Sequence, residues 1–287
     1  MKIVRTKAEL QEILQQVRQE NKTITLVPTM GALHEGHLSL IEYAKPRTDI
    51  TVCSIFVNPT QFNDPKDLEN YPRPIENDIA LLESVDCDIL FLPSVEEMYP
   101  ANDPEWHIDL GNLDRIWEGE HRPGHFQGVT QIVYKLFSLV KPNQACFGQK
   151  DFQQVMVIQR MIDIKELPIK LLICPTIRSD KGLALSSRNA RLSEEGKENA
   201  LYLSKALRYI KDNIHQHSVE ELLENAKALL ASNPALTLEY LSIVESSGLE
   251  PVKSIQPGIG YVALIVVWVE NVRLIDNIIL QEADSTK

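Results

Sequence analysis

Two histidines three residues apart, His34 and His37, stand where an apolar strand pattern gives way to a helical one. Residues 24–27 indicate a buried strand, a turn containing Gly31 follows, and the helical pattern begins at Leu38. A helix N-terminus favours an anion through its backbone N–H groups and dipole, and imidazoles there can donate to phosphate oxygens. The pattern therefore indicates phosphate chemistry. A metal pair is disfavoured because no third ligand stands at a suitable spacing, whereas two surface histidines are the plain alternative.

Polar side chains follow two further predicted strands. The strand over 49–57 runs into Asn58 and Gln61, and the strand over 143–147 runs into the polar segment 148–154. Ligands bind at the carboxyl ends of the strands in an open α/β sheet, and amide groups suit hydroxyl and carboxylate recognition because they both donate and accept. Taken alone, an Asn-Pro turn and a charged pair at a helix start are the better explanation of these residues.

Strands that alternate with helices predict the α/β class, with a Rossmann-like, doubly wound parallel sheet in an N-terminal domain of residues 1–176. A small, polar and partly basic stretch then leads into two helices and three strands. This order predicts a smaller α+β domain over residues 177–287. The stretch 117–129 is rich in Gly, His and charge, which predicts a loop over a site, with Arg122 and His125 as candidate anion contacts.

The overall composition excludes several classes of protein. The chain has 287 residues and a formal net charge of −11 without a strongly basic run, so a nucleic-acid partner is disfavoured. No apolar run is long enough to span a membrane, and the polar start does not resemble a signal peptide. The four cysteines are widely spaced in apolar settings, which is typical of buried thiols in a reducing compartment. We therefore expect a cytoplasmic protein.

Six short motifs stand in order between residues 27 and 191: PTMGALHEGHLSL, SIFVNPTQF, YPR, RPGHFQGV, FGQKDFQQ and LSSRN. Together they resemble the pantothenate synthetase (pantoate–β-alanine ligase) family, and the chain length agrees. The pattern H-x-G-H with a later Ser-Ser-Arg loop is also similar to the nucleotidyltransferase pattern shared with class I aminoacyl-tRNA synthetases. A tRNA synthetase is itself disfavoured by the negative net charge of the chain and by the lack of an anticodon-binding region.

The resemblance implies a two-step reaction in pantothenate biosynthesis, with ATP as a co-substrate. The carboxylate of pantoate attacks the α-phosphorus of ATP and pyrophosphate leaves; the amine of β-alanine then attacks the pantoyl adenylate and AMP leaves. Because the adenylate hydrolyses readily, the site must exclude water. The resemblance also implies a homodimer and Mg²⁺ bound with ATP.

The resemblance assigns residue roles. His37, His34 and Lys150 are the expected catalytic residues. Pantoate is expected at Gln61 and Gln154, and β-alanine at Gln61 and Asn58. Arg122 and His125 belong to a supporting loop. The residues expected to bind ATP are Met30, Gly31, Ala32, Leu33, His34, His37, Gly148, Gln149, Lys150, Asp151, Ile177, Leu185, Ser186, Ser187 and Arg188.

Asp78 is a possible contact for Mg²⁺. Some relatives carry consecutive acids at this place, but the preceding residue here is Asn77, so most of the metal contact is expected to come from ATP itself. Two other functions stay open from the sequence. One is a different H-x-G-H nucleotidyltransferase that retains AMP on its product, and the other is a catalytically inactive nucleotide-binding protein.

Overall fold

A computed structural model describes residues 1–63 and 65–284 of the chain, which divide into two compact units. The first unit comprises Met1–Gly148 and Gln153–Pro175. The second comprises Gln149–Phe152 and the chain from Thr176 onward. This division differs from the predicted one chiefly in the short segment Gln149–Phe152, which is grouped with the second unit.

The first unit is built on a sheet of six strands: β1 (Lys2–Val4), β2 (Ile24–Thr29), β3 (Ile50–Ile55), β4 (Ile89–Phe91), β5 (Gln144–Gly148) and β6 (Lys170–Cys174). All neighbouring strands are parallel, and their order is β1-β4-β3-β2-β5-β6. The chain moves from β2 outward to β3 and β4 on one side, and to β5 and β6 on the other. The order therefore reverses between β2 and β5, which is where doubly wound sheets bind ligands.

Helices connect these strands: α1 (Lys7–Gln19), α2 (Glu35–Ala44), α3 (Pro65–Glu69), α4 (Ile75–Ser84), α5 (Val95–Met98), α6 (Glu118–His121), α7 (His125–Val140) and α8 (Phe152–Ile164). The start of α1 is fixed locally, because the Thr6 hydroxyl accepts from the Glu9 N–H while the Glu9 carboxylate accepts from the Thr6 N–H. The Rossmann-like α/β prediction is confirmed. The strand β1 was not predicted, since three residues are too few to display a strand pattern.

The prediction of a loop over residues 117–129 is wrong for most of that stretch. It contains α6 and the first turns of α7, joined by a turn at Arg122–Gly124. Phe126 and Val129 are buried in the first unit. Burial of these apolar side chains on one face of α7 outweighs the Gly- and His-rich composition that suggested a loop.

An apolar cluster in the interior of the first unit joins strands and helices. Val27 of β2 and Ile55 of β3 pack in it with Ile41 of α2 and Leu82 of α4. Cys53, Cys87, Cys146 and Cys174 belong to the same cluster, and all four are buried free thiols. Burial raises the pKa of the Cys53 thiol well above its ordinary value.

The second unit places the helices α9 (Glu194–Asn213) and α10 (Val219–Ala231) with an antiparallel sheet of β7 (Leu236–Glu245), β8 (Tyr261–Val269) and β9 (Val272–Gln281). Buried residues of both helices and all three strands form one core. Glu270 and Asn271 join β8 to β9 with φ values of 49° and 63°, the left-handed pair that a tight hairpin turn requires. In the described part of the chain, no helix is long and apolar enough to cross a membrane.

A close backbone approach in the first unit requires Gly128. This buried residue of α7 lies against the turn Pro59–Gln61, and a β-carbon built on it would be 2.3 Å from the Thr60 carbonyl oxygen. Real β-carbons do not approach an oxygen so closely, so any larger residue must displace one of the two segments. Gly128 therefore sets the position of the Asn58–Gln61 segment against α7.

We expect Gly128→Ala to lower the free energy of unfolding by about 1–3 kcal/mol through overpacking, although alanine favours a helix interior by about 1 kcal/mol relative to glycine. Denaturant unfolding measures the change. Gly248→Ala is the matched control, because its nearest non-neighbouring atom would be 3.9 Å from the added carbon. Equal stability of the two variants would contradict the close approach.

Candidate active site

His34 and His37 lie together at the N-terminus of α2, directly after the carboxyl end of β2. Their ring centroids are 4.2 Å apart and the ring planes meet at 46°. His34 is the N-cap of α2, and its Nδ1 accepts from the Gly36 N–H at 3.1 Å. His37 makes the reciprocal hydrogen bond of the cap, in which its Nδ1 accepts from the His34 N–H at 3.3 Å. The two rings thus replace the hydroxyl and carboxylate that usually form a capping box.

These backbone contacts determine which ring nitrogen carries the proton. A nitrogen that accepts from an N–H group cannot carry a hydrogen itself, so each Nδ1 is unprotonated in this arrangement. The neutral rings of His34 and His37 therefore bear their protons on Nε2. As a result, the helix N-terminus presents two imidazole donors in addition to its own dipole.

The loop that carries His34 contains two consecutive left-handed residues, Gly31 at φ 84° and Ala32 at φ 50°. Such a conformation is costly for alanine, on the order of 1–2 kcal/mol. Asp78 of α4 compensates, because its carboxylate accepts from the Ala32 N–H at 2.9 Å and from the Leu33 N–H at 2.8 Å. Asp78 is 0 % exposed. Burial raises the pKa of its carboxyl, while the two backbone hydrogen bonds act in the opposite direction.

Asn58 and Gln61, which follow β3, are both buried and touch each other. The Asn58 amide donates to the Gln61 Oε1 at 3.2 Å, and the Gln61 Nε2 lies 2.9 Å from the Met30 sulfur. The Nδ1 of His125 lies 2.8 Å from the Gln61 carbonyl oxygen. Since a carbonyl can only accept, His125 donates from Nδ1 and supports the backbone of this segment. Gln61 thus sits beside the loop that follows β2.

Within the second unit, β9 holds the segment Gln149–Asp151. The Asn277 amide donates to the carbonyl oxygens of Gln149 at 3.0 Å and Lys150 at 2.8 Å. Asp276 forms a bidentate ion pair with Arg178, with N–O distances of 2.6 and 2.9 Å. Two parallel charge-assisted hydrogen bonds fix the orientation of the Arg178 guanidinium plane and the Asp276 carboxylate plane. The Lys150 ammonium lies 3.7 Å from an Asp151 carboxylate oxygen.

The Ser-Ser-Arg segment of the second unit follows a small hairpin. The Leu185 N–H donates to the Ile177 carbonyl at 2.9 Å, which closes this hairpin. Ser186 then caps the short helical turn Ser187–Arg191, since its hydroxyl accepts from the Arg188 N–H at 3.3 Å. That turn also contacts β9. The same strand therefore lies beside two of the predicted ATP-binding segments, and it holds one of them through Asn277.

Comparison with known proteins identifies the family. The family model for pantoate–β-alanine ligase matches residues 2–279. Pantothenate synthetase from Porphyromonas gingivalis is 46 % identical over 278 residues, covering 97 % of this chain and 99 % of the relative. The enzyme from Bacteroides fragilis is 45 % identical over 283 residues, covering 99 % and 100 %. The chain belongs to the pantoate–β-alanine ligase family.

Solved structures of the same family share the fold. Pantothenate synthetase from Thermus thermophilus superposes with a TM-score of 0.92 at 40 % identity, covering 98 % of this chain and 100 % of that one. Pantoate–β-alanine ligase from Francisella tularensis, solved with β-γ ATP and β-alanine, gives a TM-score of 0.79 at 34 % identity, covering 99 % and 100 %. The prediction of an amide-forming pantoate–β-alanine ligase is thereby confirmed.

The structure brings several of the predicted ligase residues together within the first unit. His34, His37, Met30 and Gln61 gather around the loops after β2 and β3. Asn58 donates to the Gln61 side chain, and its expected contact with β-alanine stays a prediction. Further predicted residues of this unit are Gly148 at the end of β5 and Gln154 in the first turn of α8.

Arg122 and His125 differ in their surroundings, although the sequence placed them in one loop. Arg122 lies in the turn before α7, 3.9 Å from a Glu118 carboxylate oxygen. His125 is 6 % exposed and supports the Gln61 carbonyl. Their expected anion contacts stay predictions, and the observed geometry gives His125 a structural contact in addition.

The residues around Asp78 do not fit a metal site held by the protein alone. Both carboxylate oxygens already accept backbone N–H groups, and the side chain is fully buried. Among the described residues, no group of three His, Cys, Asp or Glu is arranged to hold a metal ion. The expected contact between Asp78 and Mg²⁺ therefore has no support in this geometry, and we assign Asp78 to the loop instead.

Sequence reasoning missed the residues that hold the functional segments in place. Gln153 is one of them, because its amide donates to the Leu113 and Ile116 carbonyls and accepts from the Glu118 N–H. The pair Asp276–Asn277 is another. Its signal was visible, since two adjacent polar residues interrupt the apolar run of residues 274–279 and buried polar groups require partners.

We expect Asp78→Asn to destabilise the protein by about 1–3 kcal/mol, because the amide replaces a charged acceptor of two hydrogen bonds. Ligase activity should fall as well, since His34 follows the loop that Asp78 holds. Denaturant unfolding and product formation measure the two effects. Glu76→Gln is the control, as it removes an exposed carboxylate from the same helix. If both variants match the wild type in stability, Asp78 does not hold the loop.

Proposed function

We propose that this ligase activates pantoate with ATP through pantoyl adenylate and then transfers the pantoyl group to β-alanine. In the first step a pantoate carboxylate oxygen bonds to the α-phosphorus, and the bond to pyrophosphate breaks. In the second step the amine nitrogen of β-alanine bonds to the acyl carbon, AMP leaves and the nitrogen loses a proton. Adenylation is needed because a carboxylate has no good leaving group.

One observation carries the proposal for the first step: backbone N–H groups donate to the Nδ1 atoms of His34 and His37 at the N-terminus of α2, which assigns the ring protons to Nε2. Negative charge develops on the departing pyrophosphate, and donors held in place before the reaction stabilise it at no cost of reorganisation. Backbone hydrogen bonds hold both rings in this orientation. Met30 and the backbone of Gly31–Leu33 complete the nucleotide contacts in this proposal.

Gln61 and Gln154 bind pantoate in the same proposal, and Asn58 supports Gln61 or faces β-alanine. An amide suits pantoate because it can donate to a carboxylate and either donate to or accept from a hydroxyl. The burial of Gln61 supports the role, since a hydrogen bond made away from water discriminates more strongly against a substrate that lacks the oxygen.

Residues of the second unit contribute further contacts to ATP. Lys150 supplies a point charge for phosphate oxygens, and Asp151 accepts from ribose hydroxyls. Ser186, Ser187 and Arg188 bind the β- and γ-phosphates. The remaining contacts are assigned to Gly148, Gln149, Ile177 and Leu185. The support is the order of the family motifs, together with the hydrogen bonds from Asn277 that hold the Gln149–Lys150 backbone.

Three further parts of the proposal concern the metal, the assembly and the location of the protein. Mg²⁺ would come with ATP, whose phosphate oxygens would hold it, and it would neutralise charge that develops on them. The chain forms a homodimer, and it acts in the cytoplasm as part of pantothenate biosynthesis.

Pyrophosphate release from Mg·ATP tests the proposal directly. We expect release to require pantoate and to turn over fully only when β-alanine is added, because β-alanine clears the adenylate. In the second step we expect AMP to be released only after β-alanine is added, and only when pantoate is present. Release without pantoate, or no release at all, would overturn the two-step mechanism.

Two variants of His37 separate its donor from its capping role. An asparagine amide reaches about as far as Nδ1 and can keep the contact with the His34 N–H, but it has no group at the position of Nε2. We expect His37→Asn to lower pantoate-dependent pyrophosphate release by about a hundredfold, with a small change in the KM for pantoate. His37→Gln, whose amide reaches further, should recover part of the rate.

His107→Asn is the control for these variants, because His107 is an exposed histidine of the same unit. It should leave the rate unchanged. An unaltered rate in His37→Asn would remove the Nε2 donor from the mechanism.

A further inference from the structure

A chain of polar contacts links Tyr99, which no family motif contains, to the Gln61 side chain. The Tyr99 hydroxyl donates to the Asn58 Oδ1 at 2.7 Å. The Asn58 Nδ2 donates in turn to the Gln61 Oε1 at 3.2 Å and to the Gly128 carbonyl at 3.0 Å. Asn58 is 1 % exposed and Gln61 is 8 % exposed. All of these residues lie in the first unit.

Contacts at both ends of the Asn58 amide decide its orientation. A backbone carbonyl accepts only, so the NH₂ group of Asn58 must face it and the Oδ1 must face the other way. The hydroxyls of Tyr99 and Thr60 meet this oxygen at 2.7 and 3.2 Å. A flipped amide would bring two acceptors together against Gly128. The Gly128 carbonyl and the Tyr99 hydroxyl therefore determine together which end of the Asn58 amide donates and which end accepts.

The orientation of Asn58 then determines that of Gln61. The second proton of the Asn58 NH₂ group requires an acceptor, and the Gln61 Oε1 supplies it. The Nε2 of Gln61 consequently points the other way, where it lies 2.9 Å from the Met30 sulfur. A thioether is a weak acceptor, so an oxygen of a bound substrate replaces it with a gain in hydrogen bonding.

We propose that Tyr99 is a positioning residue that acts through Asn58 to present the Gln61 NH₂ group to an acceptor oxygen of pantoate. The inference rests on the proposed role of Gln61 in pantoate binding. It also assigns a direction to that contact, because Gln61 donates and the substrate oxygen accepts. A carboxylate or the oxygen of a hydroxyl fits this requirement, whereas an ammonium group does not.

Tyr99 is suited to this role because its ring and its hydroxyl contact different groups. The ring packs beside Phe56 with centroids 6.1 Å apart, and the Lys135 ammonium lies 5.0 Å above its face. Removal of the hydroxyl therefore leaves the ring packing intact. Burial raises the pKa of Tyr99 to about 12, so the hydroxyl keeps its proton and remains a donor at any pH near neutrality.

Tyr99→Phe tests the inference. We expect the KM for pantoate to rise about threefold to tenfold, which corresponds to one neutral hydrogen bond. The KM for ATP and the stability should change little, because neither the ring packing nor the loop after β2 is altered. Tyr209→Phe is the matched control, since it removes a tyrosine hydroxyl that accepts a hydrogen bond from Asn225 in the second unit. It should leave all three quantities unchanged.

A double-mutant cycle with Gln61→Ala tests whether Tyr99 acts through Gln61 or has a general structural effect. If Tyr99 acts through Gln61, the substitution Tyr99→Phe adds no further increase in the KM for pantoate once Gln61 is alanine. The same increase in the KM for pantoate in both backgrounds would overturn the inference that Tyr99 acts through Gln61. Gln216→Ala, at an exposed position, is the control for the glutamine substitution.

The two proposals fail in different ways in this cycle. A raised KM in Gln61→Ala with an unchanged KM in Tyr99→Phe would overturn the inference and leave the role of Gln61 in place. An unchanged KM in Gln61→Ala would overturn the substrate role of Gln61, and the inference with it. Pantoate-dependent pyrophosphate release by the wild type tests the ligase reaction independently of both.

Discussion

The buried carboxylate of Asp78 is the interaction on which the histidine site depends. The loop after β2 must turn sharply to bring His34 to the start of α2, and it does so through left-handed residues, one of which is alanine. Strain of this kind persists only where surrounding contacts over-determine the conformation. Asp78 supplies two of these contacts from a helix that lies more than forty residues further along the chain.

The two histidine rings illustrate how local backbone geometry can set chemistry. A histidine can donate from either ring nitrogen, and its tautomer follows from the contact that the other nitrogen makes. At His34 and His37 that contact is a backbone N–H of the same helix start. At His125 it is a backbone carbonyl, which selects the opposite tautomer. Identical side chains in one unit thus have different donor atoms, because the backbone differs around them.

A second buried polar centre organises the other unit. Asp276 and Asn277 interrupt the apolar strand β9, where unpaired polar groups would be costly. Arg178 satisfies Asp276, and Asn277 satisfies the carbonyls of Gln149 and Lys150. The residues proposed to bind phosphate thus rely on polar partners within a sheet that carries none of the family motifs. Buried polar groups of this kind can fix the position of a segment without adding to the stability of the fold.

The sequence by itself determined the elements whose signals are local. The capping box at Thr6 and Glu9, the parallel α/β class and the place of the two histidines after a strand follow from periodicity and from spacings of three or four residues. The family motifs added the reaction, since six of them in order specify it together. The tertiary structure decided the rest. The role of Asp78, the orientation of Gln61 and the helical state of residues 118–121 depend on groups that are distant in sequence. Such contacts arise only from strand order, register and burial, which hydrophobic periodicity does not encode.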